Sequence, residues 1–192
     1  ADVLPYDYMD LAETIHTYID ELQKLASSEQ DKARERGLEL EEGTFAATND
    51  PRRPTIAPPP LPMPPHISFA PLQNAADSLT HAADRYAKAY DKALGYGEAV
   101  RASASLAAVN DILARSEHVL TDPRGLPMRP WYQHLLYAPG YYTGYGVKTI
   151  PAVREAIEQG KDGQVDEAMS RVSAVVNAEA ALVDQAAAAL SK

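Results

Sequence analysis

The residues best suited to chemistry lie in one stretch, Gly125 to Pro151, GLPMRPWYQHLLYAPGYYTGYGVKTIP. It holds the sole tryptophan, Trp131, and the tyrosines Tyr132, Tyr137, Tyr141, Tyr142 and Tyr145. From Pro123 through Arg154 there is no Asp or Glu, so Arg124, Arg129, Lys148 and Arg154 stand unopposed in sequence. In a chain of net charge −9 this is a local inversion of sign. Phenol hydroxyls and cations in an acid-free loop are the groups that would receive a carboxylate. Tyrosine and tryptophan also suit protein interfaces, because they bury much area at low entropic cost. For Trp131 and Tyr137 the expected role is a core plug at the top of a helix bundle, since large aromatics are usually buried. For Tyr141, Tyr142 and Tyr145, set among glycines, an interface or pocket role and a structural one remain equally open.

Other chemistry finds little support. The histidines His16, His66, His81, His118 and His134 include no pair at i, i+4, and there is no HExxH. Glu117 beside His118 projects from a different helix face. No metal site is therefore expected within this chain. The chain has no cysteine, which excludes disulfides, thiolate ligands and a thiol nucleophile. It has no GxSxG elbow, P-loop or GxGxxG; Gly144–Tyr145–Gly146 is too short to cradle phosphate. Glu41–Glu42 reads as a solvated charge run. A pI near 5 disfavours nucleic acid as a partner. No apolar run reaches the roughly 18 residues of a membrane span, so this segment is expected to make no membrane contact. ADVLPYDYMD lacks the pattern of a signal peptide, and the absent initiator Met suggests a processed chain or a fragment.

The elements that must position the loop read as helices. Leu11, Ile15, Tyr18, Ile19, Leu22 and Leu25 form one apolar stripe, predicting a helix from Leu4 to about Arg36, fraying at its polar end and stopped by Gly37. Residues 37–66 contain most of the prolines and favour extended polyproline II. The PPPLPMPP core could serve an aromatic-groove module, but a stiff connector is the favoured reading. A second helix is expected over Pro71–Leu94, a third over Glu98–Leu120, and a short one over Pro151–Gln159, capped by Thr149 and closed by Gly160. Asp162 should cap the last, Val165–Leu190, whose apolar residues follow near-heptad spacing and whose alanines permit close helix approach. No alternation is long enough for a sheet. The expected fold is all-α: a four-helix-bundle-like single domain over 1–192 with a long Pro-rich crossover and a Gly/Tyr-rich loop before the last helices.

The block from Asp122 to Pro139, DPRGLPMRPWYQHLLYAP, resembles the signature of the transferrin-receptor-like dimerisation domain, the C-terminal helical domain of glutamate carboxypeptidase II-like zinc peptidases and of the transferrin receptor. Its signature residues here are Pro127, Arg129, Pro130, Trp131, His134, Tyr137 and Pro139. Leu4–Pro5–Tyr6–Asp7–Tyr8, Ser68–Phe69, Asn110–Asp111 and the run from Gly144 to Val153 extend the match. The resemblance implies a homodimerisation module, not itself an enzyme, leaning on a zinc peptidase domain of the same polypeptide. Zinc is implied for that parent, a carboxypeptidase or aminopeptidase, and not for this chain. A non-enzymatic receptor or adaptor, as in the transferrin receptor, is the alternative. The loop with Tyr141, Tyr142 and Gly144 would help close the substrate pocket. Tyr145 matches a substrate-binding tyrosine of the glutamate carboxypeptidases, while Gly144 stands where they place a lysine. An extracytoplasmic location is suggested on the same ground.

Overall fold

The computed structural model describes residues 3–47, 50, 52, 56–95 and 104–191. Helix α1 runs Tyr8–Glu41 and starts where Asp7 accepts a hydrogen bond from the Asp10 N–H at 3.0 Å, the usual way a side chain satisfies a free helix-start donor. Tyr8, Ala12, Ile15, Ile19 and Leu22 are buried along one face; beyond them only Ala33 is. The helix nevertheless passes through Gly37 instead of stopping there. Lys32–Glu29, Arg34–Asp31 and Arg36–Glu39 pair along its surface, and a lone glycine costs a helix only about 1 kcal/mol. The chain turns at Gly43, which has φ 68°, into the single turn α2, Thr44–Ala47.

The connector is correspondingly shorter than the proline pattern implies. Residues 56–69 have no regular structure and return beside α1, where the Gln30 amide approaches the carbonyls of Pro64 and Pro65 at 3.4 and 3.3 Å. Ile56, Leu61 and Met63 face solvent, while Phe69 is buried and leads into α3, Ala70–Gly95.

Helix α3 buries Leu72, Ala75, Ala76, Leu79, Ala82, Ala83 and Tyr86. Its main neighbour is the last helix, α7, Asp162–Leu190, and its second is α1. Small residues on both, Ala75, Ala76, Ala82 and Ala83 against a helix rich in Val and Ala, let the backbones approach closely. Arg85 also grips Asp184 through two bonds of 2.8 Å. The third expected helix is divided into α4, Ala104–Leu113, and a single turn α5, Ser116–Val119; its predicted start, 98–103, lies outside the described residues. At the division Ser116 turns inward and bonds the carboxylate of Glu179 on α7. Glu179 is 0% exposed, its Oε2 has no partner among the described residues, and burial pushes its carboxyl up to about 7 against the lowering pull of Ser116.

The all-α class holds, with one exception to the expectation of no sheet. Strands β1, Tyr137–Pro139, and β2, Val147–Thr149, pair antiparallel in the register Tyr137–Thr149, Ala138–Lys148, Pro139–Val147. Three residues on each strand are too few to leave a legible alternation. Helix α6, Pro151–Glu158, follows with Pro151 in its first turn. Thr149 does not cap it. Ile150 occupies the capping position at φ 44°, and the Thr149 hydroxyl is spent on Glu21 of α1 at 2.9 Å. Asp162 is the first residue of α7 and not its cap, which is Lys161.

Candidate functional site

The segment between α5 and α6 folds into two successive loops. In the first, the Asp122 N–H donates to Gln133 O and the Leu126 N–H to Tyr132 O, both at 2.9 Å. Gly125 makes that closure possible. It has φ 65°, and a Cβ there would overlap the carbonyl of Pro130. Asp122 ties the loop to the helices by accepting from Arg124 and, at 2.8 Å, from Arg171 of α7, whose other arm donates to Gly125 O at 2.6 Å. Hydrogen bonds from Arg124, and then from Arg171, outweigh burial and hold the Asp122 carboxyl well below the usual carboxylate range.

The loop divides its side chains sharply. Leu126, Leu135, Leu136, Ala138 and Ile150 enter the core. Trp131 does not: it is 77% exposed, and Tyr137 is 43% exposed, so the expectation that they plug the bundle is overturned. The leucines and the partly buried Tyr132 fill that space, and the tip carrying Pro127, Met128, Pro130 and Trp131 projects past it. Met128 adopts φ 63° at this tip, an uncommon conformation for a residue with a Cβ. Beside it Arg129 turns inward and is 6% exposed.

Arg129 is the keystone of the second loop. Its Nη2 donates to both oxygens of Glu155 at 3.0 Å, and Glu155 Oε1 also accepts the backbone N–H of Tyr141 at 2.8 Å. The guanidinium carbon lies 5.9 Å from the centre of the Tyr141 ring. A buried ion pair thus fixes where the Gly140–Gly146 turn leaves β1. The turn is closed by the Gly140 N–H on Gly146 O at 2.8 Å and the Gly144 N–H on Gly140 O at 3.0 Å. Gly140 is confined, because a Cβ there would collide with the Thr143 hydroxyl, whereas Gly144, at φ 65°, has open space around it. Tyr141 and Tyr142 meet edge to face at 4.8 Å, Tyr142 is 74% exposed, and Tyr145 is fully exposed.

The four cations of the acid-free stretch are all neutralised by acids from its flanks or from elsewhere in the chain. Arg124 pairs with Asp122 at 2.8 Å, Arg129 with Glu155 at 3.0 Å, Lys148 with Glu158 at 2.6 Å and Arg154 with Glu21 at 2.6 Å. Each cation of the stretch thus has an acidic partner within the chain. Glu21, Asp122, Glu155 and Glu158 are the residues the sequence pattern leaves unassigned. The one available signal is charge balance: four lone cations in an acidic chain must find acids across the fold.

His134 is half-buried, with Nδ1 accepting the Leu136 N–H at 3.3 Å and its ring 4.2 Å from that of Tyr137. Its Nε2 lies 3.3 Å from Glu117 Oε2, outside the alignment of a hydrogen bond. Burial pushes the imidazole below its ordinary value, with Glu117 opposing. Pro139 ends β1 on an exposed edge, where its missing donor is tolerated. Among the described residues no group of three or more His, Asp or Glu could hold a metal ion, so this donor set does not fit zinc.

Residues 67–184 match the family described as the transferrin receptor-like dimerisation domain, a span that contains both loops and most of the helices. The chain belongs to this family. Among curated proteins, it is 44% identical over 64 residues to the probable glutamate carboxypeptidase LAMP1 of Arabidopsis thaliana, a match covering 33% of this chain and 9% of that protein. It is 39% identical over 59 residues to a probable glutamate carboxypeptidase of Arthroderma benhamiae, covering 31% of this chain and 8% of that one. The matched part is thus under a tenth of either relative. In this dimerisation domain the signature residues have divided duties. Arg129 and His134 point inward and brace the loops, while Pro127, Pro130, Trp131, Tyr137 and Pro139 lie toward the surface.

Proposed function

We propose that residues 1–192 form one dimerisation domain, its Pro-rich connector following α2, that joins two copies of a glutamate carboxypeptidase-like zinc peptidase. The family match over residues 67–184 is the observation on which this reading rests. An outward row on α7, Ala174, Ala178, Ala181 and Ala188, supports it, since small side chains allow a second helix to approach closely. On family grounds the parent's zinc is assigned to its peptidase domain; among the described residues no group of three or more His, Asp or Glu could hold a metal ion. We place the parent outside the cytoplasm on family grounds; no described helix is long and apolar enough to cross a membrane. Light scattering on this chain at micromolar concentration should return twice the chain mass, and a strict monomer would count against self-association.

The turn Gly140–Gly146, with Tyr141, Tyr142, Gly144 and Tyr145, helps close the substrate pocket of that neighbouring domain. Its exposure combined with rigid bracing from Glu155 supports this role: a surface held in shape, yet left uncovered by its own chain. In the parent, Tyr145→Phe should raise KM or lower kcat/KM, and unchanged kinetics would retire the idea. The non-enzymatic receptor reading makes a different prediction, a parent that binds no zinc by metal analysis.

A further inference from the structure

We infer that the cavity between the lead-in to α1 and the second half of α3 binds a small organic cation, an ammonium group carrying methyl groups or a short apolar stem.

The cavity holds about 300 Å³, the small end of the range usual for ligand sites. Tyr6, Tyr8, Tyr86 and Tyr90 line it. Their rings form a continuous series, with centres 6.0, 5.3 and 6.0 Å apart and successive planes turned by 65°, 88° and 31°. Rings set at such angles wall a concave site and do not stack flat. Tyr8 and Tyr86 are buried, while Tyr6 is 44% exposed and Tyr90 half-buried. The lead-in is held in place, since the Leu4 N–H donates to the Asn110 side chain on α4 at 2.9 Å and the Tyr6 N–H to Leu4 O at 2.9 Å. The walls are therefore formed before a ligand arrives, which lowers the cost of binding.

Charge decides what the cavity takes. Its only charged lining residues are Asp7 and Asp91. Asp7 spends Oδ1 on the Asp10 N–H, and Asp91 is exposed. Arg85 and Lys88, the cations about one turn back on α3, are drawn to Asp184 and Asp84 at 2.8 and 2.6 Å. Lys92 adjoins Asp91 in sequence, but successive residues of a helix do not face each other. The start of α1 contributes about half a positive charge, which Asp7 alone outweighs, and the carboxyl end of α3, one turn beyond Asp91, contributes about half a negative one.

The hydroxyls of Tyr8 and Tyr86 are enclosed and have no hydrogen-bond partner among the described residues. Burial pushes both above the ordinary value for a phenol, so they stay neutral. Being enclosed, they leave the rings and the two carboxylates to meet the ligand. An anion there would face two like charges and the electron-rich ring faces. A neutral molecule would gain buried area alone. A cation with an apolar body gains the area, the ring faces and the carboxylates together.

Calorimetry on the full 192-residue chain tests the site with choline and with the neutral alcohol in which carbon replaces the choline nitrogen. Choline should bind with a Kd of about 1 mM or tighter, and the alcohol at least about fivefold more weakly. Tyr90→Leu keeps apolar bulk and removes the ring; Asp91→Asn keeps the shape and removes the charge. Each should weaken choline about fivefold and leave the alcohol within about twofold of the wild type, a split that a merely structural change would not give. Asp91→Asn lies on the surface, so it reads the site even where Tyr90→Leu disturbs packing. No saturable binding of choline up to about 10 mM, an alcohol that binds as well as choline, or wild-type choline affinity in Asp91→Asn would overturn the inference.

Discussion

The helical body and the Asp122–Ile150 segment solve the same problem, burial of polar groups, in opposite ways. Helices α1, α3 and α7 keep most charges outside and fill the space between them with Leu, Ile, Val and Ala. Their one buried acid, Glu179, is held by a neutral serine and becomes easier to protonate. The loop segment sends Leu126, Leu135, Leu136, Ala138 and Ile150 into that same core, and it also turns a cation inward and matches it with Glu155. Its aromatics, which would fill a core elsewhere, stay largely outside. Helices satisfy their own backbone groups and need only an apolar face; irregular backbone needs side chains as partners, and Glu155 supplies one to Tyr141. The aromatic surface is thus left exposed by its own chain.

The sharpest way to break this contrast is to remove half of the inward pair. Arg129→Ala or Glu155→Ala should cost about 3–5 kcal/mol in urea unfolding, because each strands a buried charge. Arg129→Met combined with Glu155→Leu should recover most of that loss. Equal costs for the single and double variants would mean that the pair is not what braces the loop.

Among the helices the comparable change is apolar. Leu79→Ala, at a fully buried position of α3, should cost about 2–5 kcal/mol by the same measurement. A cost near zero would show that α3 is not packed as described.

Glu179 gives the helical body a pH signature. Its folded-state pKa, about 7, lies above the ordinary 4.5, so the native state binds the extra proton between those values. Stability from this group is full at acid pH and falls as pH rises from 4.5 through 7. Glu179→Gln, neutral throughout, should match the wild type near pH 4.5 and exceed it above pH 7 by on the order of 3 kcal/mol. His134, pushed down by burial, acts in the opposite sense, losing stability on acidification; comparing the variant with the wild type cancels it. Parallel pH profiles for the two proteins would show that Glu179 stays charged in the fold.

The smallest effect belongs to the exposed tip. Trp131→Ala should change the stability of the isolated chain by no more than about 0.5 kcal/mol, despite removing its largest side chain. A loss of several kcal/mol would return Trp131 to the core.

What is legible in the sequence follows the same division. The stripe Leu11 to Leu25 and the face of α3 announce themselves because one helix face must be apolar. The end of α1 does not, because a single Gly37 is a weak stop against three flanking ion pairs. The break before Ser116 is hidden because a serine in a helical run looks like surface, and only Glu179, 63 residues away, explains its inward turn. The loop can be located from its composition and its family block. Its polarity cannot: whether Trp131 or Leu135 enters the core depends on where the chain reverses at Gly125, and Arg129 finds Glu155 only across the fold.

Trp131, the sole tryptophan, offers the most direct test that the chain leaves the aromatic surface of the loop segment exposed. Its fluorescence should be measured in the isolated chain, at a concentration where it is monomeric, with a neutral collisional quencher. Water-like emission, quenched nearly as readily as free indole, is the predicted result. Blue-shifted emission shielded from the quencher would place Trp131 inside the chain's own core and contradict the division between a helical body with its apolar side chains buried and a loop segment with its aromatics outside.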